Sequence, residues 1–295
     1  MSLLQAIILG IVQGLTEFIP ISSTAHLIFA GRFMNLYPGH PEELTATMAV
    51  IQLGTLAAVF VYFAGDLVNI AISFVQDHLA LISGKKKSFS GTNGVRPIWM
   101  SEDTWLGWMI IIGSVPVGIV GIAFKDVIEG ALTKNLWLIA TMLIVVAVLL
   151  LIAEFVGKQT KETRDIGIFE ALVVGCSQVL ALIPGASRSG STIMGGLFAG
   201  LTRETAARFS FLLMIPAITA SGLLELIEAW KILPQDGFIS LGIGTLVSGV
   251  VGYLSIWFLL SYLKKHSTGI FIVYRIILGA AILILLWRGV ISAQV

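Results

Sequence analysis

Charge is what this chain has least of. Asp, Glu, Lys and Arg make up 12% of its 295 residues, about half the share in ordinary soluble domains. Hydrophobic residues make up 57%, and mean hydropathy is +0.96. So thin a supply of charge excludes a water-exposed globule and places the chain in a membrane. Neither sign is in excess. A formal net charge of +1 excludes the global field that would point to a nucleic-acid partner. The single cysteine, Cys176, excludes an intramolecular disulfide framework and reads as a small packed hydrophobe. A basic n-region is missing as well. Met1-Ser2 leads into Leu3–Ile19, which runs on into Ser22-Ser23-Thr24, so no cleavable signal is expected.

Against this background the polar residues stand out. Pro184-Gly185-Ala186-Ser187-Arg188-Ser189-Gly190-Ser191-Thr192 lies between the apolar runs Ala171–Ile183 and Ile193–Leu201. A charge at membrane depth costs at least about 2.5–3.5 kcal/mol on insertion scales. Pro184 and Gly185 break one helix, and Ser187 or Ser189 can cap the next. Free N–H groups, hydroxyls and a guanidinium then share one small space. This favours an anion site, with phosphate as its anion, over a polar kink satisfied by neighbouring carbonyls.

Leu3–Ile19 and Ile21–Leu36, divided by Pro20, are each too short for a comfortable span of about 20 residues. Together they predict a helical hairpin that enters the membrane and returns (3–36). Tyr37–Glu43 reads as a loop, Leu44–Ala64 as a span, Leu67–Ile82 as a helix at the interface, and Lys85–Gly94 as a basic, polar loop. Trp99, Trp105 and Trp108 suit a headgroup belt. Trp105–Phe124 and Leu136–Val156 span, and Gly157–Asp165 is a charged connector. The plan then repeats. Ile166–Ile183 and a short helix over Ser189–Leu201 form a second hairpin (166–201), followed by spans at Glu204–Ile227, Phe238–Leu263 and Ile270–Trp287. By eye, Gly10 and Gln13 align with Gly175 and Gln178. After a one-residue gap Pro20, Ser23 and Thr24 fall on Pro184, Ser187 and Arg188, and Gly113 falls on Gly244. The expectation is an all-α membrane protein forming one domain. Its two repeats, 1–156 and 166–295, each hold a re-entrant hairpin plus three spans. An odd number of crossings inverts the second repeat, and the two tips meet near the midplane. The loops holding Lys85, Lys86, Lys87, Lys158, Lys161 and Lys264 carry about twice the basic residues of the opposite face, where Lys125 and Lys134 lie. The richer face is read as cytoplasmic, with both termini outside.

Glu17 shares a helix face with Gln13, four residues earlier. It lies close to Ser22, Ser23, Thr24 and His26. It can hold a divalent cation against phosphate oxygens, magnesium or calcium by ligand type, or act as a general base; the alternative is a salt bridge to Arg188. His40, His78 and His266 read as loop or interfacial residues, whereas His26 stands in an apolar setting beside hydroxyls. Carboxylate, imidazole, hydroxyl and guanidinium together are what phosphoryl transfer uses. Arg275 and Glu154 read as structural or snorkelling residues.

These residues also resemble a known family, the undecaprenyl-diphosphate phosphatases of bacitracin resistance. Its first motif stands here as Gln13-Gly14-Leu15-Thr16-Glu17 followed by Pro20-Ile21-Ser22-Ser23-Thr24-Ala25-His26, and its second as Pro184–Thr192. The likeness covers essentially the whole chain. It departs at Gln13, where some members carry a second glutamate. The resemblance implies an integral phosphatase of the bacterial inner membrane that converts undecaprenyl diphosphate to undecaprenyl phosphate, recycling the carrier lipid for cell-wall synthesis. It also implies a magnesium or calcium ion and a site open to the outer face. On that reading Arg188 clamps the diphosphate with Ser187, Ser189 and Thr192, and Gln13, Ser22 and Thr24 assist. Either Ser23 or His26 is the nucleophile, and Glu17 holds metal, with or without Gln13, or orients His26. The oligomeric state is left open, a homodimer included.

A lipid flippase using the same anion site is the first rival, since inverted repeats with broken helices are common in transporters. Glu17, Ser23 and His26 argue against it, because binding alone does not need them. An acid-phosphatase mechanism would need a histidine soon after the Ser-Arg element, and none follows Arg188 before His266.

Overall fold

The computed structural model describes residues 1–38, 40–84, 89, 94–128, 135–232 and 237–293. The basic run Lys85-Lys86-Lys87, most of the Ser88–Gly94 loop, Lys134 and Gln294 lie outside the described residues.

The chain is all α, with no strand among the described residues. The first half holds α1 (Leu3–Phe18), α2 (Ser23–Phe33), α3 (Pro41–Tyr62), α4 (Ala64–Ile82), α5 (Glu102–Ala123), the short α6 (Lys125–Ile128) and α7 (Leu136–Val156). The second holds α8 (Ile168–Val179), α9 (Arg188–Phe198), α10 (Arg203–Ile232), α11 (Phe238–Leu263) and α12 (Gly269–Trp287). Six of these, α3, α5, α7, α10, α11 and α12, are long and apolar enough to cross a membrane. This is a multi-pass membrane protein. One expected loop is shorter than the sequence suggests. Pro41 stands in the first turn of α3, followed by Glu42 and Glu43, so the helix begins inside the stretch read as Tyr37–Glu43. A proline needs no N–H partner there, and carboxylates suit a helix start.

The start of α1 is closed by Ser2 and Gln5, with Ser2 N–H donating to Gln5 Oε1 at 2.8 Å. The start of α8 is closed in the same way, with Gly167 N–H donating to Glu170 Oε2 at 2.8 Å. The first residues of α1 and α8, 3 and 168, differ by 165, and so do both bounds of α2 and α9. Counted from the helix starts, Ser22 stands where Ser187 does and Ser23 where Arg188 does, and both serines have positive φ.

α1 lies along α11, and α8 along α5. A side chain at Gly10 would strike the Gly244 carbonyl, and one at Gly175 the Gly113 carbonyl. Small residues let membrane helices approach to backbone contact in this way. α9 is enclosed by α7, α8 and α10, and Ser189–Leu197 are all buried. Irregular backbone at membrane depth is tolerated only with such cover. Around it, Leu197, Leu201, Phe209, Phe211 and Leu213 build the main core.

Candidate active site

The two hairpin tips meet. α1 ends at Phe18, and Ile19 turns into extended backbone. Ser22 then caps α2 at φ 76°, and Ser187 caps α9 at φ 68°. Both are left-handed values uncommon outside glycine. Gly185 has φ +89°, and a Cβ there would meet the Ile139 backbone, so glycine is required.

Between the tips is a cleft of about 70 Å³, roughly two waters' share of liquid volume. Glu17, Ser22, Ser23 and Thr24 line it from the first tip, Pro184, Gly185, Ser187 and Arg188 from the second, and Gln52 from α3. Glu17 is buried. Its Oε2 accepts from Ser23 Oγ at 2.7 Å and from Gln13 Nε2 at 3.1 Å, and Gln13 Nε2 also reaches Thr55 Oγ1 at 3.4 Å. Across the cleft, Arg188 lines the second wall, and its Nη1 is buried with no hydrogen-bond partner among the described residues. A guanidinium N–H left without an acceptor beside a polar cleft suits an anion supplied from outside. Arg188 makes no salt bridge to Glu17.

The structure divides the expected residues into two groups. Glu17, Ser22, Ser23, Thr24, Ser187 and Arg188 come together in the cleft, with Gln13 behind Glu17. Ser189 turns toward the first tip, its hydroxyl 3.2 Å from Ser187 Oγ and 3.4 Å from the carbonyls of Glu17 and Ile19. Thr192 faces away, donating to the Arg188 carbonyl at 2.7 Å and lying 2.5 Å from Ser210 Oγ. His26 is not among the residues lining the cleft. Its Nδ1 lies 2.7 Å from the Ser22 carbonyl and its Nε2 2.7 Å from the Tyr274 hydroxyl. The group hydrogen-bonded to Ser23 is Glu17, whereas the ring nitrogens of His26 bond Ser22 and Tyr274.

Of the two readings given for Arg275, structural or snorkelling, the structure shows the structural one. Its side chain is fully buried and donates only to backbone carbonyls: Pro20 at 3.1 Å, Gly185 at 3.1 Å, Ala186 at 2.9 Å, Leu143 at 3.1 Å and Met142 at 3.3 Å. It ties both tips to α7 and α12. The signal that flagged Arg188, a charge at membrane depth, also marks Arg275. So does the polar Gln52 in apolar α3. Glu154 is structural as expected, bound to Arg203 and to Thr268 Oγ1 at 2.7 Å.

Glu17 is the one carboxylate in the cleft, and no group of three or more His, Cys, Asp or Glu able to hold a metal occurs among the described residues. A magnesium-type ion is held by one or two carboxylates together with substrate phosphates and water, and Glu17 with neighbouring hydroxyl and amide oxygens fits that pattern.

A model of the bacitracin resistance protein BacA family matches residues 6–281. A protein of Syntrophobacter fumaroxidans named undecaprenyl-diphosphatase is 50% identical over 289 residues, covering 98% of this chain and 99% of its own. Proteins of the same name from Chloroherpeton thalassium and Chlorobium phaeobacteroides are 45% and 46% identical, each covering 99% of this chain and all of its own.

Proposed function

This chain belongs to the bacitracin resistance protein BacA family, and from that premise we propose that it is an undecaprenyl-diphosphatase, a membrane hydrolase that releases inorganic phosphate from undecaprenyl diphosphate. The observation that carries this reading is one small cleft lined both by Arg188, whose Nη1 has no partner among the described residues, and by a serine hydrogen-bonded to a buried carboxylate. Binding a lipid phosphate for transport would need the arginine. It would not need Ser23 paired with Glu17.

In the proposed reaction Arg188 holds the terminal phosphate through paired N–H donors. Ser23 Oγ attacks the terminal phosphorus and its proton passes to Glu17. The bond from that phosphorus to the bridging oxygen breaks, and undecaprenyl phosphate leaves, taking the proton back from Glu17. Water then attacks the phosphoserine, giving one proton to Glu17, which passes it to the departing Ser23 Oγ; phosphate and free Ser23 result. Ser187 and Thr24 line the wall and offer hydroxyls; Thr192 has no direct part. A magnesium or calcium ion bound by Glu17, with Gln13 supporting it, would supply charge neutralisation for the phosphates.

The same reading places the protein in a bacterial inner membrane, with the cleft open to the outer face and both termini outside. Supporting the inverted repeat are the shared offset of 165 residues, the matched helix-start closures and the mirrored Gly10–Gly244 and Gly175–Gly113 contacts. One chain supplies every residue of the site, so a homodimer is not required. The test is phosphate release by purified protein given undecaprenyl diphosphate in detergent, with and without chelator. Release supports the hydrolase, and loss of release in chelator supports the ion. Binding without release would favour the flippase.

A further inference from the structure

His26 sits beside the cleft but takes no part in it. A carbonyl oxygen can only accept, so the 2.7 Å contact with Ser22 puts the proton on Nδ1, and Nε2 accepts from the Tyr274 hydroxyl. The two rings stack at 5.7 Å with an interplanar angle of 11°. Both ring nitrogens are therefore engaged, one by backbone and one by a phenol. What His26 does hold is Ser22, whose φ of 76° persists only where its surroundings over-determine it. Ser22 immediately precedes Ser23, so the Ser22 backbone sets the direction of the hydroxyl that meets Glu17.

The second tip shows why the first needs this support. Ser187 caps α9 with its own hydroxyl, accepting from Gly190 N–H at 3.2 Å. Ser22 makes no such side-chain cap. The position matching His26 in the second tip is Ser191, whose buried hydroxyl has no partner among the described residues. The first tip is held differently, by the imidazole donating to the carbonyl of its cap residue.

We infer that His26 is a positioning residue: Tyr274 fixes its tautomer, and its Nδ1–H holds the Ser22 carbonyl so that Ser23 stays on Glu17. It is neither nucleophile nor base. This inference rests on the phosphatase reading above.

The test compares His26→Asn, His26→Gln, His26→Ala and Tyr274→Phe with wild type, measuring phosphate release from undecaprenyl diphosphate at matched amounts of monodisperse protein. Asparagine presents an N–H near the Nδ1 position, whereas glutamine presents one nearer Nε2. His26→Asn is expected to keep at least about one-tenth of wild-type kcat with KM within about threefold, because it keeps the Nδ1 donor. His26→Gln and His26→Ala should lose about 100-fold or more, and Tyr274→Phe should fall between. A His26→Asn protein as inactive as His26→Ala would overturn the inference. So would a base-stable, acid-labile phosphoenzyme on His26 when wild type is quenched in alkaline detergent during turnover of terminally labelled substrate. That second measurement decides the matter even if a variant fails to fold. A wild type that releases no phosphate would overturn the phosphatase reading and this inference together.

Discussion

At the scale of single residues, the site was legible wherever a polar group interrupts an apolar run at a helix break. Glu17, Ser23 and Arg188 were found that way, and the cleft contains all three. Sequence spacing alone does not say which way the Thr192 side chain turns; its hydroxyl bonds the Arg188 carbonyl and Ser210. The clamp depends on a planar fork matching phosphate oxygens, which an ammonium cannot copy. Arg188→Lys should keep the fold and lose about 100-fold or more in kcat/KM; turnover near wild type would remove the clamp. Arg275 is a buried guanidinium beside both tips, so Arg188 is not the sole cation near the anionic substrate, and the case for an ion rests on Glu17. Glu17→Gln is expected to weaken the apparent magnesium affinity or abolish turnover, and Gln13→Glu to keep activity and hold magnesium at least as tightly. A magnesium titration of the three proteins in which Glu17→Gln loses rate at unchanged metal dependence would leave Glu17 as a base only.

At the scale of elements, the number and order of the spans could be read from hydrophobic run lengths. The register between the two hairpins could not, since proline is only a proxy for the turn it favours. The left-handed caps at Ser22 and Ser187 carry the correspondence. Sequence spacing equally gave no means of seeing that Gly10 and Gly175 are contact points, because their partners Gly244 and Gly113 are far away in the chain. Overpacking such contacts costs about 1–3 kcal/mol. Gly175→Ala and Gly10→Ala should each lower the thermal midpoint in detergent. Gly118→Ala is the control, because a methyl there meets nothing within 4 Å. Equal midpoints in all three would contradict the backbone-to-backbone packing.

At the scale of the whole molecule, the proposed inversion puts both chain ends on the outer side. A single cysteine at Ser2, in a Cys176→Ser background, should react with an impermeant thiol reagent added outside intact cells. Labelling only after the inner face is exposed would reverse the orientation. The larger consequence of the architecture is that neither hairpin holds a complete site. In the proposed reaction the nucleophile and base come from the first tip and the anion clamp from the second, more than 160 residues later in the chain, while Arg275 hydrogen-bonds backbone of both tips. The most direct measurement of this claim is a double-mutant cycle in kcat/KM for phosphate release, using Ser23→Ala, Arg188→Lys and the pair. Residues acting as one unit give strongly non-additive losses. The account predicts that the double variant is within about tenfold of the worse single variant, whereas losses that multiply would show that the two tips do not act on the same phosphate.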